Sequence, residues 1–278
     1  NYKSIFLSPH PQEDIFNDML KGLGYQKVFM PKDYPNFLNR DFDKLIFNGE
    51  ECISDRDLFT SFINLLKGSE EISEKLFISL YNIGTHCFLD SHPKGVKYLG
   101  GQNPALNRFH EYDYCLGLFL DYFFNSPFSK NTFLIITSDH APHPEPAIRI
   151  AFEGHVDYEP YIIDNIPLLI YSPYHILPSI FDANGRTSLD LAPTLLQLLN
   201  INNYEHSFMG NTLFIENSKN MINIAATGRK YYQIKGKNVV CELLNNKLPK
   251  NVLSNIHLIE TFYELENQNR LFKTNKSL

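Results

Sequence analysis

YKSIFLSPHPQEDIFNDMLKGLGYQKVFM, residues 2–30, is the stretch whose reading decides the fold. Its first part, YKSIFLS, alternates and carries β-branched and aromatic side chains, which predicts a strand. PQEDIFNDMLKGLGY follows, with Ile15, Met19, Leu20 and Leu23 at helical spacing and Gly24 as a C-terminal stop. QKVFM is then a short strand. Strand, helix, strand at this spacing implies a crossover connection and therefore a parallel sheet.

Working outward, the alternation continues. SDRDLFTSFINLLKG opens with Ser54 as N-cap and Asp55 and Asp57 in the first turn, and Leu58, Phe62, Leu65 and Leu66 form an apolar stripe. KLFISLYNI (75–83) predicts a buried strand. A long loop with prolines and glycines (84–104) follows it; loops of this length in compact domains are often functional. A helix is expected over NPALNRFHEYDYCLGLFLDYFFNSP, a strand over NTFLIITSDH, and a second proline-bearing loop over 141–164. IPLLIYSP predicts a strand, SLDLAPTLLQLLNI a helix, and INIAATG, KYYQIKG and KNVVCELL further strands. The final residues are polar and helical or irregular. The expected fold class is α/β: a three-layer α/β/α sandwich around a largely parallel sheet, with a small C-terminal subdomain.

The 278 residues suffice for a large core, and 43% hydrophobic with 20% charged residues is ordinary for a globular chain. A net charge of −6 without a basic run argues against nucleic acid as a partner. No apolar run reaches the roughly 18 residues that a membrane helix needs. The chain opens on Asn without a signal-peptide pattern, which reads as a fragment or a processed chain. Cys52, Cys87, Cys115 and Cys241 form no CxxC pair, so a structural zinc site is not expected, and they read as buried thiols with one or two disulfides as the alternative.

Ligands of open α/β sheets bind beyond the carboxyl ends of the strands. Two strands here end in histidine motifs: FISLYNIGTH at His86, and FLIITSDH at Asp139 and His140. A carboxylate beside an imidazole suits a borderline divalent ion. The alternative for Asp139 and His140 is an Asp capping a turn beside a surface His, and spacing alone leaves both open. His143, between Pro142 and Pro144, reads as an exposed loop residue. His155, preceded by Gly154, is a further site candidate. Glu145, Glu153 and Glu159 read as solvated charges.

NTFLIITSDH, IPLLIYSP and SLDLAPTLLQLLNI…HSFMGNTLF together resemble the sulfatase-like branch of the alkaline phosphatase superfamily, in particular the lipoteichoic acid synthase and phosphoglycerol transferase group. KSIFLSPHPQEDIFNDMLKGLGYQKVF, DRDLF and YNIGTHCF are similar to further blocks of that group, so the resemblance spans about residues 2–235. It implies an alkaline phosphatase-like core over 1–235 and a C-terminal extension over 236–278 that packs on it. By resemblance, Asp139 and His140 are metal ligands, His86 contacts the substrate phosphate, and His155 stands near another site histidine. The implied cofactor is a divalent ion, Mn²⁺ or Zn²⁺, with Ca²⁺ or Mg²⁺ as further candidates.

The implied activity is transfer of a phosphoglycerol-type group on cell-envelope substrates outside the cytoplasm, on a lipid- or glycan-linked phosphate or sulfate ester. A sulfatase or phosphatase is the hydrolytic alternative. A non-catalytic binding domain is the alternative of another class. The family's first metal ligand and its Thr or Ser nucleophile fall before residue 1, so a full-length protein with an upstream membrane anchor is expected. Asp14 and Phe16 stand where relatives carry Trp and Arg, which removes a cation that would grip a glycerol phosphate. CISDR (52–56) is a near miss to the Cys-x-Pro-x-Arg signal in which sulfatases oxidise a cysteine. With Ser54 in place of the proline, the N-cap reading is favoured.

Overall fold

The computed structural model describes residues 2–11, 15–70, 74–153, 165–183, 185–201, 208–214, 224–227, 230–235, 238–243, 250–268 and 270. Strand β1 (Tyr2–Leu7) is followed by α1 (Ile15–Gly22) and β2 (Lys27–Phe29). Then come α2 (Pro35–Leu38), the hairpin β3 (Lys44–Phe47) and β4 (Glu50–Ile53), α3 (Asp55–Lys67) and β5 (Lys75–Leu80). Helix α4 (Pro104–Asn125), β6 (Leu134–Thr137), α5 (Pro146–Ala151), β7 (Leu168–Tyr171) and α6 (Leu191–Leu198) follow. The chain continues through β8 (Ile224–Thr227), β9 (Lys230–Lys235), β10 (Asn238–Leu243) and α7 (Lys250–Asn267). Two compact units result: 1–135 with 141–162 and 169–173, and 136–140 with 163–168 and 174–278.

In the first unit β2, β1 and β5 form a parallel sheet in that order, as the opening stretch predicts. Leu7 pairs with Phe29 on one side and Leu80 on the other, so the strands end level. Alternation along β1 sends Ile5 and Leu7 to one face, against Tyr34, Ile53 and Leu58. Phe6 goes to the other face, with Leu20, Val28 and Met30. Helix α3 therefore covers one face and α1 the other, the two-sided burial that a parallel sheet requires. Beyond α3, Phe59 and Leu66 pack on Cys115, Phe119 and Phe123 of α4.

The inner face of α1 differs from the expected stripe. Met19 is 50% and Leu23 64% exposed, while Asn17 and Leu20 are buried. The fully buried Asn17 carries its own reason: its amide donates to the carbonyls of His10, 3.4 Å away, and Pro11, 2.5 Å away, so a polar anchor turns the helix. The strand at 75–83 is also less buried than expected, with Phe77 exposed. A short helix, α5, interrupts the loop expected over 141–164.

Ser54 caps α3, its hydroxyl accepting the Asp57 N–H at 3.4 Å. Ser54→Ala is expected to cost about 1 kcal/mol, read as a lower urea midpoint at unchanged slope. The first-turn acids do more than complement the helix dipole, because both are buried. Asp57 takes a fork from Arg40 (2.6 and 3.0 Å) and the Asp43 N–H at 2.6 Å.

In the second unit, β10, β9 and β8 form an antiparallel sheet. The D-x-x-P-T block has a structural job. Asp190 accepts the backbone N–H groups of Thr187 (3.1 Å) and Asn211 (2.7 Å), and the Thr194 hydroxyl accepts that of Leu213 (2.9 Å). A side chain at Gly210 would run into the Leu189 carbonyl, so the M-G-N turn closes only with glycine there.

Candidate functional site

The level strand ends of β1 and β5 put their following residues on one edge of the parallel sheet. After β1 comes Ser8-Pro9-His10, and after β5 comes 81–86, ending at His86. His10 is 8% exposed and packs on Phe16, Phe47 and Tyr81. The Phe47 ring also meets the His86 ring edge-on, with centroids 4.5 Å apart. The sequence reading left out His10, although it too follows a strand directly.

Asp55 shapes the loop that carries His86. It accepts the Gly84 N–H at 3.0 Å and the Asn82 amide at 3.1 Å, and Asn82 also donates to the Thr85 hydroxyl at 3.1 Å. A Cβ at Gly84 would collide with the Asp55 carboxylate. Burial pushes the Asp55 carboxyl up to about 6, against the two hydrogen bonds, which favour the anion.

A second anchor is the ion pair of Arg108 on α4 with Glu145, whose side chains are 1% and 2% exposed. Arg108 also donates to the carbonyls of Thr85 and Leu89, each at 3.1 Å, bracketing the segment from both ends. Glu145 accepts the Phe88 N–H at 2.6 Å, and its own N–H donates to the His143 carbonyl at 2.7 Å. Glu145 is therefore a buried tie between two loops, where the sequence predicted a solvated charge.

This tie brings together residues that the sequence kept apart. One ligand atom from each of His86, Cys87 and His143 lies within 4.8 Å of the others. His86 Nδ1 is 3.4 Å from Cys87 Sγ, and the His86 and His143 rings are 6.0 Å apart. All three are half-buried, so His143 is not the exposed loop residue expected. Cys87 and Cys115 are free thiols, and burial, then the Glu145 charge, push the Cys87 thiol upward.

Asp139 and His140 fall in the second unit, just past β6. Asp139 Oδ1 accepts the His140 N–H at 2.9 Å, within a bend of the chain. Its Oδ2 stays turned toward the imidazole, 3.6 Å from His140 Nε2. Two such donors bound about 2.1 Å from one tetrahedral ion stand roughly 3.4 Å apart. The pair thus fits a divalent ion without rebuilding, and the side chains remain open to it at 54% and 38% exposure. Ser138 steadies the bend by donating to the His140 carbonyl at 2.6 Å. His155 lies outside the described residues.

A sulfatase family model matches residues 5–201. The chain belongs to the sulfatase family. Among solved structures, this sulfatase-family chain is similar to the lipoteichoic acid synthase LtaP from Listeria monocytogenes, with a TM-score of 0.69 at 16% identity over 97% of this chain and 70% of that one. It is also similar to a protein of the alkaline phosphatase superfamily from Vibrio parahaemolyticus, with a TM-score of 0.68 at 15% identity over 98% of this chain and 67% of that one. These likenesses establish an alkaline phosphatase-like α/β fold with a parallel sheet flanked by helices. No curated protein sequence matches the chain. Sulfatase-family proteins generally depend on a divalent metal. Within this member, Cys52 is fully buried on β4 and Ser54 is a working N-cap, so CISDR serves packing and capping. Among the described residues, no helix is long and apolar enough to cross a membrane.

Proposed function

We propose that the protein is a metal-dependent transferase of phospho-ester groups, of phosphoglycerol-transferase type, acting on lipid- or glycan-linked cell-envelope substrates outside the cytoplasm. The observation that carries this reading is the carboxylate–imidazole pair Asp139–His140, presented at the end of β6 in a sulfatase-family chain. The fold is also that of a lipoteichoic acid synthase, which is the reason for taking transfer as the first reading, with hydrolysis of a sulfate or phosphate ester as the second. Asp139 and His140 hold the ion, Mn²⁺ or Zn²⁺, which when bound neutralises charge on an ester oxygen. His86, held from below by the Asp55-anchored loop, donates a hydrogen bond to an equatorial oxygen of the substrate. His155 is proposed as a further histidine of the site.

Titration with Mn²⁺, followed by loss of the free-ion paramagnetic resonance signal, tests the ligand pair. A protein with the family's complete ligand set is expected to bind one equivalent, whereas Asp139 and His140 alone, a partial ligand set, bind it poorly. Asp139→Ala and His140→Ala are each expected to weaken binding at least about tenfold, the scale on which metal-site changes act. Equal binding by wild type and both variants rules the assignment out. His86→Ala is expected to leave the Mn²⁺ titration unchanged.

A further inference from the structure

The strongest cluster outside the Asp139–His140 pair is His86, Cys87 and His143, all within the first unit. Its composition is the first argument. Two imidazoles and a thiol form a nitrogen and sulfur donor set, which selects zinc over the hard cations that oxygen donors attract. The Glu145 carboxylate, beside this segment, is already committed to Arg108 and to the Phe88 N–H. Geometry is the second. Around tetrahedral zinc, a thiolate at about 2.3 Å and an imidazole at about 2.1 Å stand roughly 3.6 Å apart. His86 Nδ1 is 3.4 Å from Cys87 Sγ, beside its 3.2 Å contact with the Cys87 carbonyl, and the whole set spans at most 4.8 Å.

The third argument is the backbone. Phe88, a large residue directly after Cys87, sits at φ 62, a left-handed conformation that is strained for a non-glycine residue. It is 78% exposed, so burial of its own ring does not explain the strain. What holds it is the Glu145 carboxylate on its N–H, with Arg108 gripping Thr85 and Leu89 on either side. The same Glu145 donates its N–H to the His143 carbonyl. One buried ion pair therefore fixes the two loops in the arrangement that brings the three donors together.

We propose that His86, Cys87 and His143 form a zinc site in which the three side chains leave the fourth position open to an anionic oxygen. A Zn²⁺ with one thiolate keeps a net charge of +1, so an ester or phosphate oxygen fits that position. The ligand set stands independently of the proposed function; only the choice of an anionic ester as fourth ligand rests on it. Ligation through Nδ1 leaves His86 Nε2–H to donate to the substrate oxygen.

Titration of the full chain with Co²⁺ tests the site, because sulfur ligation alone gives an intense thiolate-to-cobalt charge-transfer band in the near ultraviolet. The wild type is expected to show that band at one equivalent and to lose it when Zn²⁺ is added. Cys87→Ser should abolish it, His143→Ala should weaken cobalt binding at least about tenfold, and Cys115→Ser should change nothing. A wild-type titration without the band, or a band that survives Cys87→Ser, overturns the proposal. Asp139→Ala separates the two readings: it should keep the thiolate band and lose the Mn²⁺ signal change. If Mn²⁺ fails to bind the protein with the complete ligand set while the band persists, the proposed function fails and the zinc site stands.

Discussion

Arg108→Ala is expected to destabilise the first unit by about 3–5 kcal/mol, the scale for removing one partner of a buried ion pair. The reason is the number of groups it would orphan. Glu145, 2% exposed, would keep its charge without a counter-ion, and the carbonyls of Thr85 and Leu89 would lose their donor. A surface pair such as Lys3–Glu74, with both side chains about half or more exposed, should by contrast contribute well under about 1 kcal/mol. Urea unfolding of Arg108→Ala beside Lys3→Ala measures both. A loss at Arg108 no larger than at Lys3 would falsify the clamp. Arg108→Met with Glu145→Met should recover part of the loss, because no buried charge is left unpaired, yet the Phe88 N–H stays without its acceptor.

The second large effect is a pH dependence traceable to Asp55. Its carboxyl titrates at about 6 in the folded chain, above the ordinary aspartate value of 3.8. Between those values the folded state holds a proton that the unfolded state has released, so stability falls as pH rises through the window. Two units, at about 1.4 kcal/mol each, make this contribution about 3 kcal/mol, complete below pH 4 and gone above about pH 6. Asp55→Asn retains a carbonyl for the Gly84 N–H and removes the titration. Unfolding free energies at pH 4, 5, 6 and 7 should therefore show wild type minus variant falling by about that amount. A flat difference would show that Asp55 is not the titrating group.

These two residues mark where sequence reading stopped. Asp55 was legible as a first-turn acid of α3, and that reading is true of its position. Its partner Gly84 lies 29 residues on, and nothing in either segment names the other. Glu145 looked like a solvated charge because glutamate is rarely buried unless paired, and its partner sits 37 residues earlier on another helix. His143, between two prolines, looked extended and exposed for sound local reasons. It is half-buried because Glu145 draws its loop toward the His86 segment.

Local periodicity made the rest readable. The β1–α1–β2 unit, the Ser54 cap and the α4 helix follow from side-chain spacing that one segment carries within itself, whereas β5 closes at Leu80 and β6 at Thr137, short of the ends expected at His86 and His140. Even there the inner face of α1 escaped, because a buried Asn17 bonded to the His10 and Pro11 carbonyls outweighed the apolar stripe.

By itself, then, the sequence determined the α/β alternation and the parallel β1–β2 pairing, since each rests on one short crossover within the chain. Only the tertiary structure decided which polar groups are buried and which loops meet. Burial of Asp55, Arg108 and Glu145 depends on partners supplied by distant segments, and a charged side chain is stable out of water only where that partner arrives.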